Sequence, residues 1–197
     1  MAHFCLIRHG QTDWNIAGRY QGQTDIPLNE KGREQAHLLA CQLKGQTFAA
    51  IYSSNLKRAS ETAEIIAACL HLSVTIEPRL REINQGEWEG QLVDDIKTQY
   101  AELWQMRRDS ALVRPPGGET VSEVARRVAA ALDFISNVHS DANVLIVSHG
   151  LALATVMCRV NGIPIGQAYS VIPENSTPVW IKWLPASRPK TTPISDS

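Results

Sequence analysis

No stretch of the 197-residue chain approaches the roughly 18 consecutive apolar residues that a membrane span needs. The opening apolar run, Phe4-Cys5-Leu6-Ile7, stops at Arg8 and is too short for a signal-peptide core, so neither membrane insertion nor secretion is expected. Cysteine is sparse. Cys5, Cys41, Cys69 and Cys158 include no CxxC pair, which disfavours both a zinc site and a disulfide framework. Each lies in an apolar stretch and reads as a reduced thiol buried in packing, as in a cytoplasmic protein. Excess charge of one sign is also missing. The 19 Lys+Arg face 20 Asp+Glu, and the basic residues are scattered, so neither a disordered chain nor a bulk grip on nucleic acid is expected. There is no internal repeat and no G-x-S-x-G elbow of a serine hydrolase. What is present is an ordinary globular composition, 44% hydrophobic and 20% charged, long enough for a single domain over 1–184. The remainder, 185–197, carries three prolines and reads as a disordered C-terminal tail.

Strand-like and helix-like patterns alternate along the chain. Phe4–Ile7 is a short buried strand ending at Arg8-His9-Gly10. Ala36, Leu39, Ala40 and Leu43 then recur at helical spacing, with Asn29 placed as N-cap and Gly45 closing the far end. Phe48–Tyr52 is a second strand, followed by the polar turn Ser53-Ser54-Asn55 and a helix through Ala59, Ala63, Ile66 and Leu70. Val74 and Ile76 suggest a third strand, and Arg81–Gly90 an irregular loop. A helix is expected from about Val93 to Trp104, and Pro115-Pro116-Gly117-Gly118 breaks the chain beyond it. Thr120-Val-Ser-Glu123 has capping-box spacing ahead of the stripe Val121, Val124, Val128, Leu132 and Ile135. Val144–Val147 is apolar on successive residues, as in a strand covered on both faces, and stops at Ser148-His149-Gly150 before a helix from Leu151 to about Val160. Val179–Leu184 is the last strand. This alternation predicts a parallel-rich α/β sandwich, whose ligands gather beyond the carboxyl ends of the strands.

That rule brings four polar clusters to one rim. Together they offer the imidazoles His9 and His149, the guanidiniums Arg8 and Arg58, and the carboxylate Glu82, with Glu87 and Glu89 as alternatives. Two arginines near one point repel a metal cation but match the forked oxygens of phosphate, so the site is expected to bind an anion without a metal. With the anion held by arginines, a neutral imidazole can attack phosphorus. A carboxylic acid can protonate the leaving alkoxide and then take a proton from water, and Glu82 is the candidate. His3, His37, His71 and His139 lack such neighbours and read as ordinary surface or helix-face residues. Trp88, Trp104, Trp180 and Trp183 read as core or interface aromatics, with Trp88 a possible wall of the pocket. Arg107-Arg108 and Arg126-Arg127 read as solvated pairs, the first within reach of a second anionic group on a substrate.

The blocks also resemble those of a known family. Ile7-Arg8-His9-Gly10-Gln11-Thr12-Asp13-Trp14-Asn15, Gln21-Gly22 through Leu28 and Gly32, Ser54 to Ala63 around Arg58, Leu80 to Gly90 around Glu82, Pro116 to Glu119, and Val147-Ser148-His149-Gly150 are similar, in order, to blocks of the histidine phosphatase superfamily. The branch is the one typified by cofactor-dependent phosphoglycerate mutase. An Arg-His-Gly tripeptide alone arises by chance in about 2% of chains this long, whereas ordered blocks from Phe4 to about Tyr169 are specific. The resemblance implies a three-layer α/β/α sandwich with a mostly parallel central sheet. It implies His9 as the phosphorylated nucleophile, with Arg8, Arg58 and His149 holding the phosphoryl oxygens and Glu82 as proton donor. Asn15 adds a donor, Gln21 and Gly22 line the substrate side, and Gly150 lets the backbone pass close to the phosphate. Asn84-Gln85 depart from many relatives, which bears on leaving-group preference.

The expected activity is therefore hydrolysis of a small phosphorylated metabolite, with no metal and no organic cofactor. Phosphoglycerate mutase is the rival. Within the resemblance, mutases carry a longer segment after the acid loop that keeps water out, and here Gly90–Pro115 is short, so water access and hydrolysis are expected; the residues that select the substrate are expected within Val93–Pro116. A phosphate-binding module without turnover is the reading from another class, disfavoured because binding alone does not need Glu82. No nucleic-acid or membrane partner is expected, and a homodimer is the one assembly considered.

Overall fold

The computed structural model describes residues 1–107 and 110–185. The expected tail, apart from Pro185, and the expectation for Arg108 therefore lie outside the described residues. Five strands, β1 (Ala2–Arg8), β2 (Ala50–Ser53), β3 (Val74–Ile76), β4 (Asn143–Ser148) and β5 (Pro178–Trp183), form one sheet in the order β3-β2-β4-β1-β5. β1 to β4 run parallel, and β5 is antiparallel to β1. The register sets Arg8 opposite Ser148 and Ser53 opposite Val147, so β1, β2 and β4 end side by side. Whatever follows these strands converges there.

Among the described residues seven α-helices accompany the sheet: α1 (Asp13–Ile16), α2 (Glu30–Gln42), α3 (Lys57–Leu70), α4 (Val93–Gln99), α5 (Ala101–Met106), α6 (Val121–Val138) and α7 (Gly150–Asn161). Successive strand residues point to opposite faces, so Cys5, Ile7, Leu145 and Val147 pack with residues of α2 and α3, while Phe4, Leu6, Val144 and Ile146 pack with α6 and α7. This double coverage explains why β1 and β4 are apolar at consecutive positions. α6 starts where its sequence says. The Glu123 N–H donates to Thr120 Oγ1 at 3.2 Å and the Thr120 N–H to Glu123 Oε2 at 2.9 Å. Asn29 caps α2 through the Gly32 N–H at 2.8 Å. Among the described residues no helix is long and apolar enough to cross a membrane.

Two expectations need correction. The helix expected over Val93–Trp104 is broken at Tyr100 (φ −121°, ψ 41°) into α4 and α5. The break lets both Tyr100 and Trp104 pack against the buried Trp88, with ring centroids 5.6 and 6.3 Å away. The cysteines are not all buried. Cys5 and Cys158 are interior and Cys69 is half-buried, but Cys41 sits on the outer side of α2 and is exposed. Burial pushes the Cys5 thiol up to about 12, which keeps it protonated and inert.

Leu132 is fully buried between α6 and the sheet. Leu132→Ala is expected to cost about 2–5 kcal/mol and Thr120→Ala, which removes only the cap, about 1 kcal/mol, both read from urea midpoints at unchanged m.

Candidate active site

His9 extends the β1–β4 ladder by one residue, its N–H donating to Ser148 O at 3.0 Å, and this sets its ring beside that of His149, with centroids 5.2 Å apart. Arg58, on the first turn of α3, is fully buried. Its Nη1 donates to Thr24 O at 2.9 Å and its Nη2 to Gly22 O at 2.7 Å. Arg8 Nη1 donates to Pro173 O at 3.0 Å. Backbone carbonyls thus orient both guanidiniums from outside. Arg8 Nε, Arg58 Nε and His149 Nδ1 are buried with no partner among the described residues. Buried polar atoms without partners are rare in folded proteins, and the two Nε–H groups, which can only donate, mark a place for an anion.

A pocket of about 260 Å³ opens over these groups. Of the nine sequence-nominated site residues, Arg8, His9, Asn15, Gln21, Gly22, Arg58, Glu82 and Gly150 line it, and His149 lies beneath, fully buried. Asn15 Oδ1 is engaged by Thr12, through its N–H at 3.0 Å and its hydroxyl at 3.0 Å, which leaves the amide nitrogen as the free end. Gly22 has φ +49°, and a Cβ there would stand 2.1 Å from Glu89 Oε1, so only glycine fits. A Cβ on Gly150 would come within 2.9 Å of Ile172 Cγ2 and 3.4 Å of Arg8 Nε, so its absence lets Arg8 approach the start of α7.

The three candidate carboxylates have separate fates. Glu82 lines the pocket and binds the first turn of α7: Oε2 accepts from the Leu151 N–H at 3.1 Å, and Oε1 from the Ala152 and Ile83 N–H groups at 3.0 and 2.9 Å. Glu89 accepts from the Gln23 N–H, the Thr24 hydroxyl and the Gln85 N–H at 2.8, 2.6 and 3.1 Å, which knots two loops together away from the pocket lining. Glu87 is exposed.

Several readings of single residues change in the fold. Arg126 is exposed as expected, but Arg127 is not a solvated charge. It donates to the carbonyls of Arg79, Arg81 and Glu82 at 2.9, 2.6 and 2.8 Å and pairs with Glu119 at 3.0 Å, so it holds the backbone that carries Glu82. Arg107 does not reach the pocket for a second anionic group. Its guanidinium is buried 3.5 Å from the Trp104 ring centroid and 4.3 Å from that of Tyr169, with Nη1 donating to the Tyr20 hydroxyl. Trp88 lies behind the pocket, and its aromatic walls are Trp14, Tyr20 and Tyr169. Among the described residues of the Val93–Pro116 segment expected to select substrate, only Val93 lines the pocket, because Trp104 and Arg107 turn inward onto Trp88. Trp183 is in the core as expected, whereas Trp180 is half-exposed and stacks on Phe48.

Electrostatics follow from this burial. Burial first, then Arg58 and Arg8, push His9 well below the ordinary histidine range, and burial with the same arginines does so for His149. Burial draws Arg58 down to about 10, where it is still a cation at neutral pH. The site therefore holds two neutral imidazoles between two cations.

Known proteins resemble this chain in sequence and in fold. The model of the histidine phosphatase superfamily (branch 1) matches residues 4–188. A Yersinia pestis protein named "Probable phosphoglycerate mutase GpmB" is 42% identical over 166 residues, covering 83% of this chain and 77% of its own length. Bacillus stearothermophilus YhfR superposes with a TM-score of 0.85 at 35% identity, over 92% of this chain and 91% of that one. A mycobacterial glucosyl-3-phosphoglycerate phosphatase solved with VO3 gives 0.84 at 30% identity, over 91% and 92% of the two chains. The α-ribazole phosphatase of Shigella flexneri gives 0.81 at 30% identity, over 91% and 90%. The fold is the phosphoglycerate mutase-like one, the relatives are phosphatases and mutases, and the chain belongs to the histidine phosphatase superfamily.

Proposed function

We propose that the protein hydrolyses small-metabolite phosphate monoesters through a covalent phosphohistidine on His9. The observation that carries this reading is the state of the His9 ring. Its Nδ1 lies 2.7 Å from Gly10 O, a carbonyl that can only accept, so Nδ1 bears the hydrogen and Nε2 keeps its lone pair. With the unspent donors of Arg8, Arg58 and His149 around it, this lone pair faces a place built for phosphoryl oxygens. In the first step Nε2 bonds to phosphorus while the ester P–O bond breaks, and Glu82 gives its proton to the leaving alkoxide. In the second, water attacks phosphorus, Glu82 takes the water's proton, the N–P bond breaks and inorganic phosphate leaves. Asn15 and Gln21 contact the bound ester, and the walls of Trp14, Tyr20 and Tyr169 receive its leaving group. No step calls for a metal or an organic cofactor.

Phosphoglycerate mutase is the second reading, favoured by the name of the 42% identical relative. The short α4–α5 excursion and the way it packs on Trp88 favour water access and therefore hydrolysis. A panel of phosphorylated metabolites separates the two. Phosphate release without added bisphosphoglycerate supports the hydrolase, and interconversion of phosphoglycerates that depends on it supports the mutase.

Three outcomes are expected. His9→Ala abolishes turnover, and a denaturing quench of the wild type at alkaline pH traps an alkali-stable, acid-labile phosphate that maps to residue 9. Glu82→Gln slows alkyl esters by about 10²–10⁴ but aryl esters, whose leaving group needs no proton, far less; equal loss on both removes Glu82 from the acid role. The third concerns pH. The folded histidines titrate below the unfolded value of about 6.5, so on acidification the unfolded chain takes up protons first and stability falls below that pH. The loss is at most about 1.4 kcal/mol per pH unit per histidine, and a His9→Asn/His149→Asn variant loses less than the wild type between pH 7 and 5.5 in urea unfolding.

A further inference from the structure

Ser54 follows β2 directly and has no place in the chemistry above. Its Oγ lies 2.8 Å from His149 Nε2, and both residues are fully buried. The same Oγ accepts the Leu56 N–H at 3.3 Å, just ahead of α3. A serine hydroxyl has one hydrogen and two lone pairs. One lone pair serves Leu56, and the only acceptor for the hydrogen among the described residues is His149 Nε2. If Nε2 carried a hydrogen, the serine hydrogen would be buried with nowhere to go, and a buried unsatisfied donor costs about 1–3 kcal/mol. Satisfaction of the pair therefore puts the hydrogen of His149 on Nδ1, the nitrogen that is buried without a partner beside Arg8 Nε and Arg58 Nε.

We propose that Ser54 is a positioning residue that fixes His149 in the Nδ1–H tautomer, so that a neutral imidazole presents a donor to the transferring phosphoryl group. The point matters because His149 cannot become a donor by gaining charge. An imidazolium would be a further cation beside Arg58, Arg127 and Arg8 at a fully buried position, and burial together with those arginines keeps the ring neutral. A neutral ring has one N–H and one lone pair. With the hydrogen on Nε2 the lone pair of Nδ1 would face the phosphoryl oxygens and repel them. Ser54 thus decides between a transition-state donor and a transition-state repulsion. It does so from the end of β2, next to the end of β4 that His149 follows, across the register that sets Ser53 opposite Val147.

The assignment rests on the hydrolase reading for its consequence but not for its first test. In the free wild-type protein, two-bond ¹⁵N–¹H correlation spectra are expected to show His149 Nδ1 as pyrrole-type and Nε2 as pyridine-type, and the reverse pattern overturns the proposal whatever the protein catalyses. Ser54→Ala is expected to shift His149 towards the Nε2–H form and to weaken orthovanadate binding, measured by calorimetry, at least tenfold. It is also expected to lower kcat by about a hundredfold, the scale of losing one oriented donor, with KM changed much less. A Ser54→Ala protein that keeps the Nδ1–H form and wild-type vanadate affinity overturns the proposal. Vanadate binding needs no turnover, so it separates failure of this assignment from failure of the hydrolase reading.

Discussion

Two guanidiniums buried at the carboxyl end of a parallel sheet are the demand that the surrounding structure answers. Taking an ion out of water costs of the order of several kcal/mol even after relaxation, and Arg58 is fully buried. The chain offsets that cost with carbonyls of Thr24, Gly22 and Pro173, which supply partial negative charge without a counterion. A carboxylate placed on the same nitrogens would neutralise the site. Carbonyls leave its charge intact and leave Nε of Arg58 and both Nε and Nη2 of Arg8 without a partner among the described residues, so these donors are left to a ligand.

Loops that present those carbonyls need holding in turn. Glu89 ties the Gly22–Thr24 turn to the acid loop, and Asp25 accepts the Lys57 N–H at 2.7 Å, joining the same turn to the start of the helix that carries Arg58. Arg127 gathers three carbonyls of the acid loop, and Glu82 reaches from that loop to the first turn of α7. The acid, His9 and both guanidiniums are thereby bonded to backbone groups, and His149 to the Ser54 hydroxyl, rather than to one another. That leaves their side chains the freedom to change partners during a reaction.

Much of this was legible before any coordinates. Strands at Phe4–Ile7 and Val144–Val147 could be read because double coverage leaves no polar position, and α6 because its capping box and stripe agree. His9, Arg58 and His149 could be read because each sits directly past a strand or on the first turn after one, and Glu82 because it lies in the polar loop that follows β3. Arg107 and Arg127 could not, since a charged pair on a helix looks the same whether it faces water, an aromatic cage or a ring of carbonyls. Tyr20 and Tyr169 carry no motif, and they reach the pocket only because Arg107 and Trp88 pack behind them. Cys41 shows the opposite failure, an apolar neighbourhood in sequence that faces outward on the helix.

Periodicity and residue type, properties of a few neighbours along the chain, were enough to determine the alternation of strands and helices, the end of the sheet at which chemistry collects, and the kinds of group that collect there. Which nitrogen of His149 holds the hydrogen, which of three carboxylates faces the pocket, and which arginines are spent on carbonyls were decided by contacts between residues 34 to 165 positions apart. Sequence spacing carries no information about such contacts, because hydrogen-bond direction and burial depend on where the backbone returns in three dimensions.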